Sequence, residues 1–253
     1  MNVRITILTP DEALRNRFLM VVYGPTGIGK TTFIGTAPRP LVIDFEGGIG
    51  PLRGRTDVGV IQVRSADEMD QVIDWLMRED ASKLPYGVIA FDGLSNFAEH
   101  VFSDIAEQAA RRRATKGGYE GATWKEWGEL TATLKRLIRR LHLIGKPVII
   151  TCTERVLKVE DKERYTVALP PSSRRSLFAM ADVVGVMLMD SDGQRFIAFQ
   201  DRSGRYELKD RFGVLGKEPP SFGEIYEKVT GASREVRPPM KGEARATLPI
   251  KPS

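Results

Sequence analysis

Short apolar runs alternate with longer amphipathic stretches along most of this chain. The runs cover residues 18–23, 41–45, 58–63, 87–92, 147–153 and 183–189, lengths that suit strands. Between them Met69, Val72, Ile73 and Leu76 recur at helical spacing, as do Phe97, Val101, Phe102 and Ile105. A third helix over 129–144 carries Leu130, Leu134, Leu137, Ile138 and Leu141 along one side. Strand and helix in alternation predict an α/β fold with a mostly parallel central sheet flanked by helices. After Met189 the pattern changes. Asp192-Gly193 and Ser203-Gly204 are turn signals around the segments 195–200 and 205–209, so the sheet is expected to end in antiparallel strands.

With 253 residues, 42% of them hydrophobic, the chain can bury one sizeable core. That core is expected over 18–232. Residues 1–17 form an N-terminal extension and a candidate oligomerisation strand, while 233–253 are basic and Pro-rich, the composition of a disordered tail. A net charge of +5 favours an anionic partner only weakly. The single cysteine, Cys152, lies in an apolar run and has no partner for an internal disulfide, which suits a reducing compartment. His100 and His142 do not cluster with other ligands, so a zinc site has nothing to be built from. No run approaches the roughly 18 apolar residues of a membrane span, and the N-terminus lacks a long apolar leader. A soluble cytoplasmic protein is expected, in the host cytoplasm if the chain is phage-encoded.

The chemistry is carried by Gly24-Pro25-Thr26-Gly27-Ile28-Gly29-Lys30-Thr31, followed by Thr32. This is the Walker A pattern, and it stands between a predicted strand and a predicted helix, as a phosphate loop requires. Its glycines let backbone N–H groups turn inward, Lys30 is placed for the β- and γ-phosphates, and the Thr31 hydroxyl for a magnesium ion. ATP and Mg2+ are the cofactors expected. A phosphate loop needs a second acid on a nearby strand, and Asp92 ends the apolar run Val88-Ile89-Ala90-Phe91. The alternative role for Asp92 is a helix cap. The run 41–45 also ends in acid. Glu46 is the candidate general base for hydrolysis, with Asp44 as rival and a structural role for both as the alternative.

Several phosphate-loop branches lack support. The sequence after Asp92 is Gly93-Leu94-Ser95, not the DxxG of GTPases, and no NKxD follows. An ABC signature is absent, and a AAA+ enzyme needs a helical lid that the residues after the final hairpin hardly provide. The order of Walker A, acid-ended second strand, Walker B acid and the pair Lys209-Asp210-Arg211 resembles the RecA/DnaB core, from about Phe18 to Phe212. The compact size and the segment Ile43-Asp44-Phe45-Glu46-Gly47-Gly48 look most like small phage RecA-like ATPases that anneal single strands. The resemblance implies that Lys209 and Arg211 reach the γ-phosphate held by a neighbouring subunit; a solvated Lys-Asp-Arg turn is the alternative. The family's polar switch after the sheet strand is usually a Gln, where Thr153 and Glu154 stand here, and these two are taken as its sensor residues.

The same resemblance implies two DNA-binding segments. The first includes Arg111, Arg112, Arg113, Lys116, Gly117, Gly118 and Tyr119 and continues to Trp124 and Trp127, combining cations for phosphates with rings for bases. A basic helix end with its tryptophans in the core is the alternative. The second spans 155–175, with Lys158, Arg174 and Arg175, and would otherwise be an ordinary surface hairpin. The implied function is ATP-dependent single-strand DNA binding that promotes annealing or recombination, with ATP hydrolysed at subunit interfaces of a ring or filament. A single-strand DNA-binding protein is the further partner implied. The alternatives are a DnaB-like helicase or helicase-loading motor and, in another class, a monomeric small-molecule kinase.

Overall fold

The computed structural model describes residues 9–78, 83–114, 123–159 and 162–231. The first element is α1 (Pro10–Arg15), capped by Thr9, whose side chain and that of Glu12 close a reciprocal capping box. The oligomerisation strand expected over 1–17 is therefore not formed by residues 10–15. There follow β1 (Leu19–Gly24), α2 (Lys30–Ile34), β2 (Pro40–Asp44), β3 (Gly59–Gln62), α3 (Ala66–Arg78), β4 (Val88–Asp92) and α4 (Leu94–Ala114). The second half holds α5 (Trp124–Leu141), β5 (Val148–Val159), β6 (Lys162–Val167), α6 (Pro171–Met180), β7 (Val183–Met189), β8 (Arg195–Ala198), β9 (Lys209–Asp210), β10 (Lys217–Glu218) and α7 (Phe222–Thr230).

Among the described residues the sheet has the order β10-β8-β7-β1-β5-β4-β2-β3, with β6 on β5 and β9 on β7. The strands from β7 through β3 run parallel, and β8, β9 and β10 pair antiparallel. This is the expected mostly parallel sheet ending in antiparallel strands. β1, β2 and β4 are buried at every position because helices cover both faces. Alternation sorts their residues. Leu19, Val21 and Tyr23 join the cluster under α3, α4, α5 and α6, while Met20 and Val22 join Phe18, Phe33, Ile34, Phe222 and Ile225 on the face of α2 and α7. Truncating a residue such as Ile43, fully buried here, would cost about 2–5 kcal/mol.

The antiparallel end differs in detail from the expectation. The segment 205–209 does not return onto 195–200. Instead β9 takes the N-terminal part of the β7 edge (Val184↔Lys209), β8 takes the C-terminal part (Met189↔Arg195), and β10 pairs with β8. The reason is the length of β7, which offers one edge to two short strands. α5 starts at Trp124, earlier than the expected 129, because Thr123 and Glu126 form a capping box there. α6 and α7 were not foreseen from the pattern. α7 packs Phe222 and Ile225 into the core, so the domain reaches at least to Thr230. The tail over 233–253 lies outside the described residues.

β5 positions the site. Its first six residues, Val148 to Thr153, pair with β1, the first three of them also with β4, and beyond Thr153 it leaves the sheet to pair with β6 as an exposed two-stranded ribbon. Since Thr153 is the register partner of Gly24, this ribbon projects from the edge at which the phosphate loop begins.

Candidate functional site at the carboxyl ends of the strands

The loop between β1 and α2 opens at Gly24 and closes at Lys30. Gly29 caps α2 with φ of 110°, a conformation strained for any residue with a Cβ. The Lys30 ammonium donates 2.9 Å hydrogen bonds to the carbonyls of Gly24 and Pro25. Burial pushes its pKa down, and the charges of Glu46, Asp92 and Glu154 act in the opposite sense. Lys30 is thus the cation about which these acids gather.

Asp92 ends β4, which is separated from β1 by β5. Thr31 Oγ1 donates to its Oδ2 at 2.7 Å and Thr151 Oγ1 to its Oδ1 at 2.6 Å, while the Gly93 N–H donates to Thr151 at 2.9 Å. These partners lie on the phosphate loop and on β5, so Asp92 faces the loop instead of capping α4. Burial raises the Asp92 pKa, the two threonine hydroxyls lower it, and Asp44 raises it. The sequence reading overlooked Thr151. Its signal was a hydroxyl inside the apolar run 147–153, on the strand that the topology inserts between Walker A and Walker B.

Asp44 and Glu46 part company. Asp44 is buried at the end of β2 and accepts the N–H groups of Glu46 (3.1 Å) and Gly47 (2.9 Å) on Oδ1, a local turn that fixes the chain after the strand. Glu46 lies over Gly93, whose φ is 89° and where an added Cβ would run into the Glu46 carboxylate. Glycine there brings Glu46 beside Asp92. Burial and the Asp92 charge raise the Glu46 pKa, and Lys30 lowers it. A carboxylate that is exposed, raised in pKa and close to the loop lysine can accept a proton from water; the turn-bound Asp44 has given one oxygen to the backbone.

The residues fit a nucleotide-bound magnesium ion. Asp44 Oδ2 is buried without a hydrogen-bond partner, next to Asp92 in the strand register. No cluster of three or more His, Cys, Asp or Glu forms a metal cage among the described residues. One hydroxyl, one directed carboxylate and a nearby orphan oxygen match an ion that keeps waters and takes its other ligands from phosphates. Thr31 and Asp92 would hold it.

The remaining expected residues are scattered. The Thr153 N–H donates to Ser95 Oγ (3.2 Å), and burial raises the Glu154 pKa while Lys30 lowers it, so β5 brings Glu154 into the field of the loop lysine. Lys209 and Arg211 are not at the loop. Lys209 stands beside Val184, roughly 10 Å down β7 from the level of the loop, and Arg211 lies further down, where its N–H donates to the Asp182 carbonyl. Lys209 Nζ donates to the carbonyls of Phe178 (2.7 Å), Ala179 (3.2 Å) and Ala181 (2.6 Å) at the end of α6, and Arg211 pairs with Asp182 at 3.0 Å. Lys209 closes the C-terminus of α6, whereas Arg211 keeps half of its side chain exposed and reaches the Ala179 carbonyl only at 3.4 Å.

Of the DNA candidates, Arg111 is exposed and paired with Glu107, and Arg112 lines a cleft between α4 and α5 with Lys125, Glu126 and Glu129. The Arg113 side chain and Lys116 lie outside what is described. Trp124 is 92% exposed, and Trp127 stacks on Phe102 with centroids 4.0 Å apart, so Trp124 is not tucked into the core. Lys158 is exposed on the ribbon and Arg175 on α6. Arg174, expected on the DNA surface, instead has a side chain only 14% exposed that pairs with Glu207 at 3.5 Å. Burial pushes the Cys152 thiol up to about 12, as a core cysteine requires.

Loop, Walker B acid and strand order together define a phosphate-loop nucleoside triphosphatase with a RecA-like core. The chain belongs to the AAA domain family, whose model matches residues 17–212. The AAA class, set aside above for want of a lid, thus applies to the core; the match ends before the region a lid would occupy, where the described residues form only β10 and the nine-residue α7. Among solved structures the chain is similar to a KaiC-like protein of the hyperthermophilic archaeon Pyrococcus horikoshii, with 14% identity over 77% of this chain and 83% of that one and a TM-score of 0.44. No curated protein matches it. No helix among the described residues is long and apolar enough to cross a membrane.

Proposed function

We propose that this protein is a magnesium-dependent ATPase that binds single-stranded DNA at the edge of the sheet carrying its phosphate loop, and uses ATP to promote strand annealing or recombination as an oligomer. The observation that supports the coupling is the course of β5. One unbroken strand supplies Thr151 to Asp92, places Glu154 near Lys30, and continues into the ribbon bearing Arg155, Lys158, Lys162 and Arg164. The arm is mixed in charge, since Glu160, Asp161 and Glu163 stand among these cations in sequence, and a change at the γ-phosphate would be felt at its base. Rings favour a nucleic-acid partner as well: Arg205 lies over Tyr165, which is 5.2 Å from Tyr206, at the root of the ribbon, and Trp124 is exposed at the start of α5.

In this reading Glu46 takes a proton from the attacking water, Lys30 steadies the charge developing on the γ-phosphate, and Thr31 and Asp92 hold the metal. Magnesium supplies charge neutralisation and orientation of the phosphates when bound. The deciding experiment is the ATPase rate with and without single-stranded DNA. Stimulation by single strands is expected, and a rate indifferent to DNA, together with no DNA binding, would remove the nucleic-acid half of the proposal.

A further inference from the structure

The β7–β8 hairpin lies against both ends of the phosphate loop. A Cβ at Gly24 would come within 2.7 Å of the Met187 carbonyl oxygen, and one at Gly29 would meet Cδ, Nη1 and Cζ of Arg195 at 3.5, 3.5 and 3.6 Å. Arg195 opens β8 opposite Met189, and β7 flanks β1 on the side away from β5, β4 and β2. Its exposed side chain therefore drapes over Gly29, immediately before Lys30. Arg174 and Arg211 each face an acid, whereas the Arg195 guanidinium has no carboxylate or carbonyl partner among the described residues. A guanidinium kept without a counter-charge beside a phosphate loop is suited to phosphate oxygens, which it can grip in bidentate fashion.

We propose that Arg195 is a second phosphate-binding cation, acting within its own subunit on the α- and β-phosphates. The inference rests on the ATPase reading above. Lys30, Glu46, Asp92 and Glu154 converge on the β5-β4-β2 side of the loop and mark the γ-phosphate end. Arg195 approaches from the β7–β8 side, so it meets the phosphate chain nearer the nucleoside. An interaction there is common to ATP and ADP. It stabilises bound nucleotide in ground and transition states alike, and so governs affinity and not the chemical step. Arg195 is a binding residue, and its place in an alternating strand segment gave it the pattern of an ordinary solvated position.

The test is binding of ATP, ADP and inorganic tripolyphosphate, each with magnesium, to the parent protein and to Arg195→Ala, Arg195→Lys and Lys30→Ala. Arg195→Ala is expected to weaken all three by about 10- to 100-fold, the range for removal of a charged hydrogen bond, with Arg195→Lys intermediate and kcat close to the parental value. Because the side chain is exposed, the ligand-free melting temperature should not move, which separates a missing phosphate grip from a damaged fold. Unchanged affinities overturn the proposal. So does weaker ATP and ADP binding with tripolyphosphate unaffected, which would put Arg195 on the nucleoside, or a fall in kcat alone, which would make it a transition-state cation. If the parent binds none of the ligands, or Lys30→Ala binds them equally well, the ATPase reading fails first and this inference falls with it.

Discussion

Asp44 and Asp92 are register partners at the ends of adjacent parallel strands, but only Asp92 is reached by the phosphate loop. Asp44 commits one oxygen to the turn that follows β2 and leaves the other buried and unpartnered. Three acids that look equivalent in sequence are thereby divided into a turn anchor, a group facing the phosphate loop and, in Glu46, a more exposed carboxylate lying over Gly93.

Glu46→Gln is expected to keep ATP binding and to lower kcat by about 10^2- to 10^4-fold, the scale of general-base catalysis. A base acts only when deprotonated. Since burial and Asp92 raise the Glu46 pKa, the parental rate should fall as pH drops through that raised value, and the Gln variant should lack this acidic limb. A pH profile of kcat checks both, and loss of rate in Asp44→Asn with Glu46→Gln unaffected would make Asp44 the base.

Asp92→Asn should separate function from stability. A carboxyl group whose folded pKa is raised stabilises the fold most at low pH, and that contribution is lost as pH rises through the folded pKa. Without metal, the parental melting temperature should therefore decline across this rise, and the Asn variant should decline less and melt higher at neutral pH while losing magnesium-dependent hydrolysis. Thr151→Val, which removes the 2.6 Å bond to Asp92, should raise the magnesium concentration needed for half-maximal rate. Magnesium titration of the ATPase, with melting curves in metal-free buffer, reads these outcomes.

Single-stranded DNA should quench tryptophan fluorescence, because Trp124 is exposed at the start of α5, next to Lys125, which shares a cleft with Arg112. Trp124→Ala is expected to weaken binding by about 1–3 kcal/mol, the range for one stacked base. Joint replacement of Arg111 and Arg112 by Ala should reduce the slope of log affinity against log salt by about 0.7 for each DNA phosphate that is no longer neutralised. A slope unchanged in the double variant would move the interface to the ribbon alone.

Lys209→Ala is expected to destabilise the domain by about 1–2 kcal/mol, since the ammonium serves three carbonyls at the end of α6. Denaturant unfolding measures this. Mixing Arg211→Ala with Lys30→Ala tests the action in trans that the resemblance implied: recovery of hydrolysis in co-assembled mixtures would establish it, and activity no greater than the sum of the two would leave Lys209 as a helix cap and Arg211 as the partner of Asp182.

Much of this protein is determined locally. The Walker A loop, the strand ending at Asp92 and the helical stripes through Val72, Val101 and Leu134 are legible because a phosphate loop needs consecutive backbone groups, and because burial on a strand or helix imposes a fixed period. The same local pattern left Lys209 in a turn and Arg174 exposed, and offered only a hydroxyl in an apolar run for Thr151 and an alternating strand position for Arg195. Each of these turns on a partner far along the chain: Ala181 for Lys209, Glu207 for Arg174, Asp92 for Thr151 and Gly29 for Arg195. Sequence period determines which face of a strand a side chain occupies. Only the order in which strands join the sheet, which depends on packing over the whole core, decides which loop or acid that face meets.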